Sequence, residues 1–135
     1  MNHPLFVYGT LLQADNKLAY YLKTHCTSLQ PGKLKGTLYD IGDYPGLIIS
    51  NVSTFVYGHL YEIDTETLTL IDDYEGFGAE QEQPNLYLRK LFLIEASVET
   101  IQAWVYVYNR PAAGFPTITD GDYLKYLAQK KSSGL

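Results

Sequence analysis

The sequence predicts a single α+β domain over residues 1–135, with about six strands in a small curved sheet or barrel. Two observations support this fold class. Segments with strand patterns and segments with helix patterns follow one another in irregular order, which favours α+β over a regular α/β arrangement. The 135 residues contain no internal repeat, low-complexity stretch or linker, and this length is typical of one domain. A closed or curved sheet is expected because it protects strand edges.

The first part of the chain predicts two strands separated by a weak helix. Residues 4–8 are a short apolar run that stops at Gly9, as in a buried strand that enters a tight turn. Helical spacing occurs around residues 18–22, and this helix should end before Pro31. Residues 33–39 alternate between two faces and therefore predict the second strand.

The middle of the chain predicts a hairpin, a longer strand and a second helix. Residues 42–46 have turn composition. Residues 47–49 and 54–63 are rich in β-forming residues, and the short polar connection between them fits a hairpin followed by a longer strand. Asp64 is placed to cap the helix that follows. Gly76 lies where a left-handed residue is expected to end that helix.

The last part of the chain predicts two paired strands and a closing helix. Residues 86–94 and 101–108 are strand candidates joined by a short polar connection, so they should pair antiparallel. Residues 120–131 have helical spacing. The inner face of this helix is predicted to carry Tyr123, Leu124 and Leu127.

The composition argues against several classes of function. With a net charge of -5, the chain offers no basic face to a nucleic acid or an acidic membrane. No apolar run reaches the length of a membrane span and the N-terminus is unlike a signal peptide, so a cytoplasmic protein is expected. Cys26 is the sole cysteine, which excludes an internal disulfide. The three histidines are scattered, and we expect no metal site.

The segment after the first strand is a candidate binding loop. It consists of Tyr8, Gly9, Thr10 and Leu11, called the YGTL loop below. Successive backbone N–H groups in a glycine turn can converge on an anion such as a carboxylate. Glycine tolerates positive φ and allows a ligand to approach closely. A strand that ends at glycine is also compatible with a plain turn, so the local sequence leaves both interpretations open.

A cluster of acids at the end of the second predicted helix contains a candidate proton carrier. Asp72, Asp73 and Glu75 stand within four residues of one another. The negative end of the helix dipole and the neighbouring carboxylates should raise the pKa of Glu75 if it is partly buried. The alternative is a solvated acidic helix end closed by Gly76.

The order of these segments resembles the γ-glutamylcyclotransferase-like superfamily, especially its AIG2-like and γ-glutamylamine cyclotransferase branch. No single motif is specific, but together they cover most of the chain in the family's order. The motifs are the YGTL loop, a GxLYxI-like strand at 58–63, an LDxYEG-like helix end at 70–76, a YxR-like pair at Tyr87 and Arg89, an AxVYxY-like strand at 104–108 and an SGDW-like segment at 121–123. Two departures are Thr10, where serine is commoner, and a long acidic stretch at residues 77–86.

The resemblance implies a small mixed β-barrel of about six strands with peripheral helices, and an enzyme that needs no metal or organic cofactor. Characterised members release an amine from a γ-glutamyl compound as the γ-glutamyl part cyclises to 5-oxoproline. Glu75 matches the catalytic glutamate and would serve as general acid and base. The γ-glutamylamine type of activity is favoured, and residues 77–86 are expected to affect which substrates enter.

The resemblance also assigns roles to other residues. Tyr8, Gly9, Thr10 and Leu11 are expected to anchor the substrate, chiefly through backbone N–H groups. Tyr108 is expected to close the pocket with its hydroxyl. Arg89 is interpreted as structural, reaching carboxylates near the helix end, and Tyr74 and Tyr87 as core residues.

Two other functions remain open from sequence. The main rival is a non-catalytic small-molecule binding module with the same fold, against which the presence of Glu75 argues. A protein-interaction domain is the third, and it would expose an apolar patch instead of a polar cavity. The expected partner is a small γ-glutamyl compound, with no nucleic acid or membrane, and the expected state is a monomer. The sequence does not select among γ-glutamyl amines, γ-glutamyl-ε-lysine, γ-glutamyl dipeptides and a γ-glutamyl group that protects a biosynthetic intermediate.

Overall fold

The computed structural model describes residues 2–133, which form six β-strands and three α-helices. The strands are β1 (Asn2–Val7), β2 (Thr27–Asp40), β3 (Pro45–Ile49), β4 (Phe55–Asp64), β5 (Tyr87–Glu95) and β6 (Thr100–Tyr108). The helices are α1 (Lys17–His25), α2 (Thr65–Glu75) and α3 (Tyr123–Ser133), with a turn of 3-10 helix at Thr10–Leu12. None of the helices in the described range is long and apolar enough to cross a membrane.

Five strands close into a barrel, and the sixth lies beside it. The strand order is β3-β2-β4-β1-β6-β5, and a further pairing of β2 with β5 closes the ring. The closing contact pairs Lys33 with Glu95. The barrel is mixed because β1 runs parallel to β6, whereas the other neighbours are antiparallel. The α+β class and the small mixed barrel predicted from sequence are confirmed.

Strand β2 is longer than predicted. It begins at Thr27, before the predicted start at residue 33, and runs through Pro31. The first five residues of β2 are exposed or only partly buried, and a register shift interrupts the pairing between Ser28 and Gln30. An alternating apolar pattern appears only where one face is buried, so the exposed start of β2 left no such signal.

The hairpin predicted between residues 47–49 and 54–63 does not form. Strand β3 instead pairs with the end of β2, from Gly36 to Asp40, and β4 pairs with the earlier part of β2. Because β2 has 14 residues, it is long enough to pair with both strands in succession. The predicted antiparallel pairing of β5 with β6 is confirmed.

The ends of α2 follow the predicted capping. The Asp64 side chain accepts a hydrogen bond from the backbone N–H of Thr67 at 2.8 Å. Gly76 has φ 71° and ψ 34°, the left-handed conformation that ends a helix. In α3, the predicted burial of Leu124 is wrong, since it is 43% exposed. The inner face continues from Tyr123 to Tyr126 and Leu127 because side chains three and four residues apart share a helix face.

The buried side chains form two clusters, and β1 contributes to both. Phe6 and Tyr8 belong to a cluster that includes the start of α3 at Tyr123. Leu5 and Val7 belong to a second cluster, which packs against α1 and α2. Alternation along β1 therefore places residues of the YGTL loop and of the strand before it against both halves of the core.

Candidate active site

A cavity of about 260 Å³ lies between the YGTL loop, the C-terminal end of α2 and the turn that joins β2 to β3. Both of the main sequence candidates, the YGTL loop and Glu75, contribute to its wall. The lining residues are Phe6, Val7, Tyr8, Gly9, Thr10, Leu11, Tyr44, Pro45, Tyr74, Glu75, Leu86, Tyr87 and Tyr106. Most of the wall is apolar or phenolic, so a carboxylate placed there is poorly hydrated.

The YGTL loop is held by packing on both sides. The buried Tyr8 hydroxyl donates a hydrogen bond to the backbone carbonyl of Tyr106 at 2.5 Å. A Cβ added at Gly9 would lie 2.7 Å from Cγ of Pro45. Tolerance of positive φ is not the property of glycine that this position uses, because the φ of Gly9 is -129°. Glycine is required there because the Pro45 ring of the facing turn approaches the backbone closely.

We expect Gly9→Ala to lower the free energy of unfolding by about 1–3 kcal/mol and to raise the KM for substrate, because the added methyl group pushes the loop away from Pro45. Gly32→Ala is the matched control: its Cβ would lie 2.6 Å from Cγ2 of Ile94, away from the cavity. Urea unfolding and steady-state kinetics of both variants test this. An equal rise in KM for both variants would contradict a local role of Gly9.

The YGTL loop presents free backbone donors. Thr10–Leu12 is one turn of 3-10 helix, closed by a hydrogen bond from Leu12 N–H to the Gly9 carbonyl at 2.9 Å. Within residues 2–133, no group accepts a hydrogen bond from the N–H of Gly9, Thr10 or Leu11. Unpaired N–H groups in succession are suited to bind an anion.

Glu75 ends α2 and faces the cavity. Its side chain keeps some surface open to the cavity, but its carboxyl group is closely surrounded by protein atoms. Burial raises the pKa of Glu75 from its ordinary value of 4.5 to about 8. No residue in the described range donates a hydrogen bond to this carboxyl group. The predicted direction of the pKa shift is confirmed, and its cause is burial, not the neighbouring carboxylates.

The two neighbouring acids are engaged elsewhere. Asp72 accepts hydrogen bonds from Arg89 Nη1 and from the Tyr106 hydroxyl, both at 2.6 Å. The Arg89 guanidinium also stacks 4.5 Å from the ring centre of Trp104. Asp73 accepts from Gln81 Nε2 at 2.8 Å. Arg89 is not part of the cavity wall, which agrees with its predicted structural role at the helix end.

Tyr108, a predicted pocket residue, is not among the lining side chains. It is buried and packs edge-to-face against Tyr87, with ring centres 5.7 Å apart. Tyr106 reaches the cavity instead. The two tyrosines lie two positions apart on β6 and so point to the same face of the strand, and the sequence could not tell which one meets the cavity.

Several wall residues were not predicted to be there. Tyr74 and Tyr87 were interpreted as core residues, yet both line the cavity, and the Tyr87 hydroxyl donates to the Pro45 carbonyl at 2.5 Å. Tyr44, in the turn between β2 and β3, and Pro45, the first residue of β3, also line it. Tyr44 lies in a segment with turn composition, but no local pattern indicates that this turn faces the YGTL loop.

The charges of the wall limit its chemistry. Among the described residues 2–133, Glu75 is the sole acid or base of the wall apart from tyrosine hydroxyls, and no lysine, arginine or histidine lines the cavity. Within residues 2–133, no group of three or more His, Cys, Asp or Glu side chains is arranged to hold a metal ion.

Known proteins match this chain in sequence and in fold. A profile of the family described as "Gamma-glutamyl cyclotransferase, AIG2-like" matches residues 5–125. The gamma-L-glutamyl-butirosin B gamma-glutamyl cyclotransferase of Niallia circulans is 37% identical over 107 residues, which are 78% of this chain and 67% of that protein. The gamma-glutamylcyclotransferase family protein YtfP of Escherichia coli is 37% identical over 121 residues, 89% of this chain and 95% of that protein.

Solved structures share the fold. The crystal structure of YkqA from Bacillus subtilis superposes with a TM-score of 0.76 at 26% identity over 98% of this chain. This chain spans 44% of that longer protein. The YGTL loop and Glu75 line one cavity, and the fold around them is the fold of these proteins. Because the family profile matches most of its sequence, the chain belongs to the AIG2-like gamma-glutamyl cyclotransferase family.

Proposed function

We propose that this protein releases an amine from a γ-glutamyl compound by intramolecular attack of the substrate's α-amine on its own γ-carbonyl carbon, which forms 5-oxoproline. The observation that carries the proposal is the position of Glu75: its carboxyl group, closely surrounded by protein atoms, lies in the same cavity wall as the YGTL loop, and its pKa is raised to about 8. Family membership supports the reaction type.

Proton transfer is the task of Glu75 in this mechanism. The carboxylate removes a proton from the α-ammonium group, and the neutral nitrogen attacks the γ-carbonyl carbon. A C–N bond forms, the tetrahedral intermediate collapses, and the bond to the leaving nitrogen breaks. The ring nitrogen gives up a second proton, and both protons pass by way of Glu75 to the leaving nitrogen. With a pKa of about 8, both forms of the carboxyl group are available near neutral pH.

Positioning is the task of the YGTL loop. The substrate's γ-carbonyl and α-amine must be held together, and intramolecular attack gains from such positioning. The N–H groups of Gly9, Thr10 and Leu11 are proposed to bind the α-carboxylate, and some of them to stabilise the oxyanion. Tyr8 supports the loop through its hydrogen bond to the Tyr106 carbonyl.

We infer from the composition of the cavity wall that γ-glutamyl amines are better substrates than γ-glutamyl dipeptides. The leaving group of a dipeptide carries a carboxylate next to the scissile nitrogen, and this charge would enter an aromatic wall without a basic side chain. An unpaired carboxylate in such surroundings is poorly solvated. An amine leaving group avoids this penalty. The name of the relative from Niallia circulans specifies a gamma-L-glutamyl derivative of butirosin B. This name supports testing γ-glutamyl compounds with larger leaving groups as well.

The test is a mass-spectrometric assay of the purified protein for 5-oxoproline, with equal concentrations of γ-glutamyl alkylamines, γ-glutamyl-ε-lysine and γ-glutamyl dipeptides. We expect release of 5-oxoproline, with kcat/KM at least about tenfold higher for the amines than for the dipeptides. Binding of these compounds without any turnover would replace the proposal by the binding-module alternative. Faster turnover of dipeptides would contradict the assigned substrate class.

A further inference from the structure

Three side chains form a hydrogen-bonded row at the cavity, and the proposed mechanism leaves their side-chain groups unused. The Tyr74 hydroxyl lies 2.8 Å from Thr10 Oγ1. Asn16 Nδ2 donates to the same Tyr74 hydroxyl at 2.9 Å. Thr10 and Tyr74 both line the cavity, and Tyr74 directly precedes Glu75. The row therefore connects the end of α2 with the YGTL loop.

Asn16 can act only as a donor towards Tyr74. Its Oδ1 accepts hydrogen bonds from the backbone N–H groups of Leu18 and Ala19, at 2.9 and 3.0 Å, and so caps the start of α1. With the amide oxygen directed to the helix, the group that faces Tyr74 is the amide nitrogen. An amide nitrogen has no acceptor capacity, so it cannot take the hydrogen of the Tyr74 hydroxyl.

The hydroxyl hydrogens of the Thr10–Tyr74 pair can be counted. Each residue carries one O–H, and one of these two hydrogens lies in the bond between them, whichever residue donates. The Asn16 donor occupies a lone pair of Tyr74 and removes no hydrogen. One O–H of the pair is therefore left without an acceptor among residues 2–133.

We propose that the Thr10–Tyr74 pair donates this remaining O–H to the carboxylate of the bound γ-glutamyl group, and that Asn16 is the positioning residue that keeps the hydrogen available. The inference rests on the proposed function and extends it to side chains. A carboxylate in this cavity finds no basic side chain, so hydroxyl and backbone N–H groups are the donors within reach. Hydrogen bonds to an ionised acceptor are stronger than those between neutral groups.

Asn16→Asp reverses the direction of the hydrogen bonds along the row and provides the test. The introduced carboxylate retains an oxygen for the helix cap but presents an acceptor to Tyr74 in place of a donor. Tyr74 then donates to this carboxylate, Thr10 donates to Tyr74, and no O–H remains for the substrate. We expect KM to rise about tenfold with kcat within about threefold, because a contact made equally in the ground state and the transition state affects KM alone.

Three comparisons separate the effect of hydrogen-bond direction from the effects of added charge and of altered structure. Ala14→Asp adds the same charge at an exposed position nearby and should leave KM unchanged. Tyr74→Phe leaves the Thr10 hydroxyl free and should raise KM less than Asn16→Asp. The double variant Thr10→Val with Tyr74→Phe removes both hydroxyls and should match Asn16→Asp. Thermal unfolding checks that every variant is folded.

The inference is overturned if Asn16→Asp and Ala14→Asp have the same KM. It is also overturned if Tyr74→Phe raises KM as much as Asn16→Asp does, since that indicates a structural role for the phenol. Calorimetry of 5-oxoproline binding to the same proteins measures affinity independently of turnover. A wild-type protein that neither turns over γ-glutamyl amines nor binds 5-oxoproline would overturn the proposed function, and this inference with it.

Discussion

Glu75→Gln is expected to lower kcat by about 10²- to 10⁴-fold, the range that a positioned general acid and base contributes. Glutamine has nearly the same shape as glutamate but cannot accept and return a proton, so the α-ammonium group stays protonated and cannot attack. Affinity for 5-oxoproline should remain within about threefold, because in the proposed mechanism the product is anchored by the N–H groups of the YGTL loop and not by position 75. Single-turnover kinetics and calorimetry measure the two quantities.

Asp73→Asn is the matched control for this substitution. It removes a carboxylate two positions before Glu75, from an exposed side chain that accepts a hydrogen bond from Gln81 outside the cavity wall. Turnover by this variant should equal that of the wild type. If Glu75→Gln keeps more than about a tenth of the wild-type kcat, Glu75 is not the proton carrier and another group must be sought.

Local signals in the sequence were sufficient for most elements of the fold. Capping by Asp64 and Gly76 depends on residues within one turn of the helix, so the limits of α2 could be predicted closely. The partner of β3 could not be predicted in this way. The choice of β2 over β4 is made by the length of β2, whose exposed start at Thr27 has no alternating pattern.

The same distinction between local and long-range signals applies to the candidate site. The YGTL loop and Glu75 each had a physical rationale, and the order of the family's motifs suggested that they belong to one site. The opposite wall comes from the turn before β3, and its position depends on how the barrel closes. Gly9 illustrates the limit: the constraint on it is the Pro45 ring, which approaches from a distant part of the sequence.

The same substitution, Glu75→Gln, is expected to make the folded protein more stable at neutral pH. Between the ordinary pKa of 4.5 and the raised pKa of about 8, the folded state binds more protons than the unfolded state. The contribution of Glu75 to the free energy of unfolding must therefore fall as pH rises through this range, by up to about 1.4 kcal/mol per pH unit. Glutamine does not ionise and is free of this penalty.

Urea unfolding at pH 5 and pH 7.5 measures the effect. We expect the gain in the free energy of unfolding from Glu75→Gln to grow by about 3 kcal/mol between these two pH values. Asp40→Asn is the contrasting control. Burial acts to raise the pKa of Asp40, but hydrogen bonds from Tyr126 and Lys130 outweigh it, and the net shift is downward from 3.8.

A lowered pKa reverses the sign of the pH dependence. Asp40 contributes stability above its unfolded pKa and loses it only as pH falls below that value, so Asp40→Asn should destabilise by nearly the same amount at pH 5 and pH 7.5. A gain from Glu75→Gln that does not change with pH would show that the Glu75 carboxyl group is well hydrated. Lower activity and higher stability from one substitution have the same cause, since the burial that destabilises the Glu75 carboxylate also raises its pKa into the range where it can exchange protons near neutral pH.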